Sequence, residues 1–202
     1  MKEFVPFPKM PRLFRECIIT EKIDGTNACI CITEDGQFLT GSRSRWITPQ
    51  DDNFGFAMWA EAHRDELMKL GPGTHFGEWW GSGIQRGYGL TNGEKRWSLF
   101  NVARWCLADQ KPQRIPMADP RIEKYQDLLP ECCSLVPLLY RGMFDTSRVY
   151  EALDQLRLSG SVASPGFTKP EGIICYHIAG NFGFKATLEK DQEHKSALAD
   201  AS

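Results

Sequence analysis

Short β-branched runs, closed by glycine turns and bunched together instead of alternating with helices, constrain this chain more than any other feature. Residues 17–20 (CIIT) and 28–33 (ACICIT) alternate in the manner of strands, and Glu34-Asp35-Gly36 then turns the chain into 37–40 (QFLT). Further strand-like runs cover 74–80, 97–103, 134–140, 171–178 and 182–187, the last two joined through Ala179-Gly180-Asn181 as a hairpin. Helical spacing occurs twice. In residues 54–70 it is carried by Phe54, Met58, Ala62, Leu67 and Leu70, with Asp51, Asp52 and Asn53 as caps and Gly71-Pro72 as the stop. The second helix is expected over about 146–158, ending near Gly160, and a helical or frayed tail from Glu189 onward. Strands grouped in hairpins imply an α+β fold, antiparallel β-sheets with flanking helices, in one domain over residues 1–202.

Composition narrows the class. With 42% hydrophobic and 25% charged residues in 202, the chain can bury a sizeable core and is not disordered. No apolar run reaches the roughly 18 to 20 residues of a membrane span, and MKEFVPFPKM lacks the apolar stretch of a secretion signal, so a cytoplasmic protein with no membrane partner is expected. Seven cysteines, with no CxxC pair, do not make a disulfide framework, and four histidines without HxH or HxxxH spacing do not make a zinc site. A net charge of −2 means that any nucleic-acid binding must use a local basic patch. The glycines at 81, 83, 87 and 89 do not fit GxGxxG, and GK[ST] does not occur, which removes dinucleotide-fold and P-loop readings. Residues 81–89, with Gln85, Arg86 and Tyr88, are expected to form a flexible loop near a nucleotide or substrate.

The chemistry concentrates at 21–27 (EKIDGTN), between two apolar strands. A lysine amine is a nucleophile only without its extra proton, and the end of a strand is where burial starts to desolvate it. Gly25 permits close approach of the backbone to a ligand, and Thr26 and Asn27 offer hydrogen-bonding groups.

This segment resembles motif I of the covalent nucleotidyltransferases, the ATP-dependent DNA and RNA ligases and mRNA capping enzymes. The Gly-Thr-Asn continuation is most similar to nick-sealing, type 2 RNA ligases. Ser42-Arg43-Ser44-Arg45 follows about twenty residues on, 76–81 (FGEWWG) resembles motif III, 100–102 (FNV) motif IIIa, 171–174 (EGII) motif IV and Phe184-Lys185 motif V. The resemblance runs from about residue 17 to 190 and implies the ligase nucleotidyltransferase fold, similar to ATP-grasp, and an enzyme that uses ATP with Mg²⁺ or Mn²⁺ and acts on RNA, at nicked duplexes or at RNA or DNA ends. It implies that Lys22 forms a lysyl-AMP and that Lys185 contacts the α-phosphate. By the same resemblance Glu171 is expected to hold the metal, directly or through water, and Glu78 the ribose. Arg43 is expected to hold a ribose hydroxyl or the incoming terminal phosphate, with Arg45 as a rival in register, and Asn27 to belong to the nucleotide site. Phe100 is a stacking face for adenine or simply core, and Glu21 an adenine contact or a surface acid.

Two departures matter. Motif V commonly carries Lys-x-Lys, whereas Lys185 is followed by Ala186-Thr187 and the next lysine is Lys190. About seventeen residues follow Lys185, too few for an oligonucleotide-binding barrel or helical C-terminal domain, so the expectation is a bare catalytic domain. The RNA ligase reading, joining 3′-hydroxyl and 5′-phosphate ends in RNA repair, therefore stands beside three others: a GTP-using capping-type transferase, a DNA ligase, and a nucleotide- or RNA-binding protein that has lost ligation.

Overall fold

In the computed structural model the chain is described over residues 3–102 and 129–189. Two sheets carry the fold. The first is four-stranded in the order β10-β9-β1-β8, with β1 at Glu16–Lys22, β8 at Leu138–Met143, β9 at Gly172–His177 and β10 at Phe182–Thr187. The second is six-stranded in the order β4-β3-β2-β5-β6-β7, formed by Thr26–Ile32 (β2), Phe38–Ser42 (β3), Trp46–Ile47 (β4), Gly73–Gly81 (β5), Lys95–Leu99 (β6) and Cys133–Leu135 (β7). All pairs are antiparallel except β6 with β7. The α+β expectation holds.

Period-two alternation explains the layering. In the four-stranded sheet Cys17, Ile19, Leu139, Ile173 and Cys175 form one buried face, against Ala152 and Leu156 of the helix α3 (Thr146–Ser159). That helix starts at Asp145, whose carboxylate accepts from Ser147 N at 2.8 Å, and ends at Gly160, matching the expected span. In the six-stranded sheet Ala28, Ile30, Ile32, Trp79, Trp97 and Leu99 cover the outer face, against Phe56, Ala57, Ala60 and Leu67. A third cluster, with Ile18, Trp80, Tyr88, Val136 and Leu138, lies where the two remaining faces meet.

Two expectations need correcting. The helical pattern over 54–70 is not one helix but α1 (Phe56–Ala62), α2 (Arg64–Leu67) and a 3-10 turn (Met68–Leu70). The break falls at His63, whose ring Nδ1 is 2.8 Å from the carbonyl of Trp59, its i−4 neighbour, so that the side chain crowds the helix ladder. Asp52 does cap, accepting from the amides of Ala57 at 2.8 Å and Met58 at 3.0 Å. Residues 134–140 are likewise two strands in different sheets. Val136 N still donates to Leu99 O of the second sheet, whereas the carbonyl of Pro137, which has no N–H of its own, accepts from Glu21 N of the first at 2.9 Å. The chain changes sheets at that proline. Strand 97–103 ends earlier than expected, at Leu99, with residue 103 outside the described residues; so are Lys190 and most of the tail.

Candidate active site

Strand β1 ends at Lys22 and β2 begins at Thr26, so motif I is the link by which the chain passes from one sheet to the other. Gly25 in that link lies against β5: a Cβ there would come within 2.4 Å of Trp79 O and 2.8 Å of Trp80 Cβ. Only glycine fits the approach. The close packing lets Gly25 N donate to Glu78 Oε1 at 3.0 Å, while Asn27 Nδ2 donates to Glu78 Oε2 at 2.9 Å. Motifs I and III are thus joined through one carboxylate. Burial pushes the Glu78 carboxyl up to about 7, against the opposing pull of Lys22 and of its two donors.

Lys22 Nζ lies 2.5 Å from Glu171 Oε2, both side chains part-buried. This ion pair ties motif I to motif IV, and it follows from register: β1 pairs with β9 so that Lys22 stands opposite Gly172. Lys185 shares that face, because it pairs with Ile174, which pairs with Thr20, and residues directly opposite in an antiparallel sheet project to the same side. Strand spacing and rise put its Cα about 12 Å from that of Lys22.

Lys22, Asn27, Glu78 and Glu171 are brought together as expected. Phe100 is not core: it is 41% exposed, just beyond β6, with its amide donating to Phe76 O at 2.9 Å. Glu21 is neither a surface acid nor turned to the lysine's side. It lies on the helix-covered face with Ile19, is 1% exposed, and accepts from Ser161 Oγ at 2.6 Å, Val162 N at 2.8 Å and Ala163 N at 2.9 Å. Burial raises its carboxyl, and those three bonds partly offset the rise.

The basic residues sort differently from expectation. Arg43 and Arg45 occupy a bend between β3 and β4, and the rival in register, Arg45, is paired in bidentate fashion with Asp51, Nη2 to Oδ1 at 3.0 Å and Nη1 to Oδ2. Arg86 donates to Asp24 Oδ2 at 3.0 Å, Lys169 O at 3.1 Å and Glu189 Oε2 at 3.1 Å, so it braces the protein's own loops. Arg43 and Lys185 are exposed and make no ion pair among the described residues.

Residues 81–89 hold the group that sequence reasoning missed. Instead of a flexible loop they form a pinned turn in which Tyr88 is fully buried, at φ 50°, stacked on Phe167. Its hydroxyl accepts from Asp24 N and Glu171 N, each at 3.2 Å, and donates to Lys22 O at 3.3 Å, so that one phenol joins the backbones of motifs I and IV. The tyrosine carried no motif signal, since its role exists only once three distant segments meet. Tyr88→Phe keeps the ring but leaves two sheltered amides without that acceptor. A loss of about 1–3 kcal/mol is expected, read as a fall of several degrees in Tm by circular dichroism.

The fold is that of the nucleotidyltransferase domains expected from motif I. An RNA ligase family model matches residues 15–188, and the chain belongs to that family. Among solved structures it is similar to mutants of the Naegleria gruberi RNA ligase. An arginine-to-alanine mutant with ATP and Mn is 16% identical, with a TM-score of 0.56 over 94% of this chain and 52% of that one. A lysine-to-alanine mutant with ATP and Mn is 17% identical, with a TM-score of 0.55 over 85% and 49%. A glutamate-to-alanine mutant with AMP and Mn is 17% identical, with a TM-score of 0.56 over 87% and 50%. The chain thus spans about half the length of these ligases. No curated protein sequence matches it. Among the described residues no helix is long and apolar enough to cross a membrane.

Proposed function

We propose that these residues form the adenylylating domain of an ATP-dependent RNA ligase. The observation that carries this reading is the contact of Lys22 with Glu171, which joins motifs I and IV from 149 residues apart beside the Glu78 anchor. Lys22 Nζ gives its proton up, with Glu171 as the nearest acceptor, and attacks the ATP α-phosphorus; a P–N bond forms and the bond to pyrophosphate breaks. AMP then passes from Nζ to an RNA 5′-phosphate, and attack by a 3′-hydroxyl on that phosphate releases it. Glu78 accepts a ribose hydroxyl, Phe100 stacks on adenine, and Arg43 and Lys185 offset phosphate charge.

Glu171 suits Mg²⁺ or Mn²⁺ as a single carboxylate. The described residues hold no cluster of three or more acidic, histidine or cysteine side chains for a metal, so phosphate oxygens and water would complete the shell, as such hard ions accept. Bound there, the ion would neutralise charge on the α-phosphate and departing pyrophosphate. Solved Naegleria relatives with ATP and Mn support this choice.

Incubation with labelled ATP and Mn²⁺ is expected to give a covalently labelled protein, lost with EDTA and weak or absent with labelled GTP. The labelled protein is then presented with nicked duplex RNA, nicked DNA and single-stranded RNA. Sealing of an RNA substrate sustains the ligase reading; labelling without sealing of any polynucleotide overturns it in favour of a nucleotide-binding protein that has lost ligation, the reading that the single Lys185 of β10 favours.

A further inference from the structure

The side of the six-stranded sheet that carries Glu78 continues past that residue as a row of open aromatic rings. Along β5, alternate residues on this side pass from Trp80, 1% exposed, through Glu78, 7%, to Phe76, 57%. At Phe76 the row runs straight across the sheet. Phe76 pairs with Cys29, Cys29 with Gly41, and Gly41 with Trp46, while on the other flank Phe100 donates its amide to Phe76 O. Strand spacing makes the row about 19 Å long. Trp46 is 58% exposed and Phe100 41%.

The row is built rather than left over. Trp46 lies over Gly41: a Cβ at that glycine would sit 3.2 and 3.3 Å from Trp46 Cε3 and Cζ3, and 2.7 Å from Cys29 Sγ. Absence of a side chain at Gly41 is what lets the indole rest against the sheet with its outer side open. The opposite face of the same strands packs against Phe56, Ala57 and Ala60 of α1 and Leu67 of α2. Exposed aromatic rings on a sheet, beside the exposed Arg43 in the turn that precedes Trp46, which makes no ion pair among the described residues, have the two properties that single-stranded nucleic acid requires: π-faces for bases and a cation for phosphate.

We infer that Phe76 and Trp46 form a stacking shelf for the unpaired bases of an RNA end, leading away from the nucleotide at Phe100 and Lys22. This inference rests on the RNA ligase reading above. Stacking is worth about 1–3 kcal/mol per base, which corresponds to a roughly 5- to 150-fold change in affinity.

The test compares wild type with Trp46→Ala and Phe76→Ala, by fluorescence anisotropy at one salt concentration, on a labelled single-stranded RNA and on an abasic strand of the same length. Each variant is expected to lose at least fivefold on RNA and nothing on the abasic strand. Lysyl-AMP formation, which needs no RNA, keeps its wild-type rate and serves as the check on folding, and Trp46→Tyr retains most of the affinity. RNA binding by both alanine variants within twofold of wild type would overturn the shelf and leave the aromatic row to a protein partner; an equal loss on the abasic strand would overturn it in favour of a charge effect. Failure of wild type to form lysyl-AMP would instead count against the ATP-dependent reading, and the binding comparison would still decide the shelf.

Discussion

Lys22→Ala is expected to abolish covalent labelling by ATP, a fall of at least about a thousandfold, with the protein still folded. The effect is large because nothing stands in for the amine: Lys185, on the same sheet face two strands away, offsets phosphate charge in this reading, a task for which it keeps its proton and so is no nucleophile. Lys22→Arg should be equally inactive, since a guanidinium keeps its proton and is no nucleophile. The structural cost is modest. Removing Lys22 strands Glu171, but both side chains are part-buried and water reaches them, so the loss is about 1 kcal/mol and a few degrees of Tm. Labelling of the alanine variant at the wild-type level, measured on acid-denatured protein, would sink the assignment of Lys22.

Glu78→Gln should separate stability from activity. Burial raises this carboxyl from its ordinary 4.5 to about 7, so the protonated form is the one the fold favours. The sign follows: the stability associated with this group is fully present below about 4.5 and is lost as pH rises through about 7. Above that value the ionised group costs about 3 kcal/mol, at about 1.4 kcal/mol per pH unit. Glutamine escapes that cost, but its NH₂ faces either Gly25 N or Asn27 Nδ2, which then lacks an acceptor, and about 1 kcal/mol is given back. At pH 8 the variant should melt roughly 4–8 °C above wild type, the gap closing toward pH 4.5, while its KM for ATP rises about tenfold or more as a charged acceptor for the ribose is lost. A Tm difference that does not change between pH 5 and 8 would show that Glu78 does not titrate in this range. A carboxylate kept at the expense of stability is what a ligand-binding role looks like in thermodynamics.

How far such a site can be read from residues alone depends on the range of the interaction. Alternation in β1 and β2, the cap at Asp52 and the stop at Gly160 are local, and each appeared where the sequence placed it. Glu21 shows the limit. Its neighbour Lys22 was recognisable, yet whether a carboxylate one residue earlier reached the ligand or the opposite side depended on which face of β1 was covered by α3 and on donors at 161–163. Arg43 and Arg45 were equivalent in sequence; Asp51, brought back by the short β3–β4 turn, engaged one of them.

By itself the sequence determined the strand-rich α+β class, the order of the motifs and the choice of Lys22, Asn27, Glu78 and Glu171 as candidates, which the fold then brings together, because side-chain period and motif spacing are properties of neighbours along the chain. Tertiary structure alone decided the change of sheet at Pro137, the bracing of motifs I and IV by Tyr88, and the alignment of Trp46, Phe76 and Phe100 in one row. Those features depend on register between strands distant in sequence, and register is set by packing two sheets around a shared core, which no local pattern encodes.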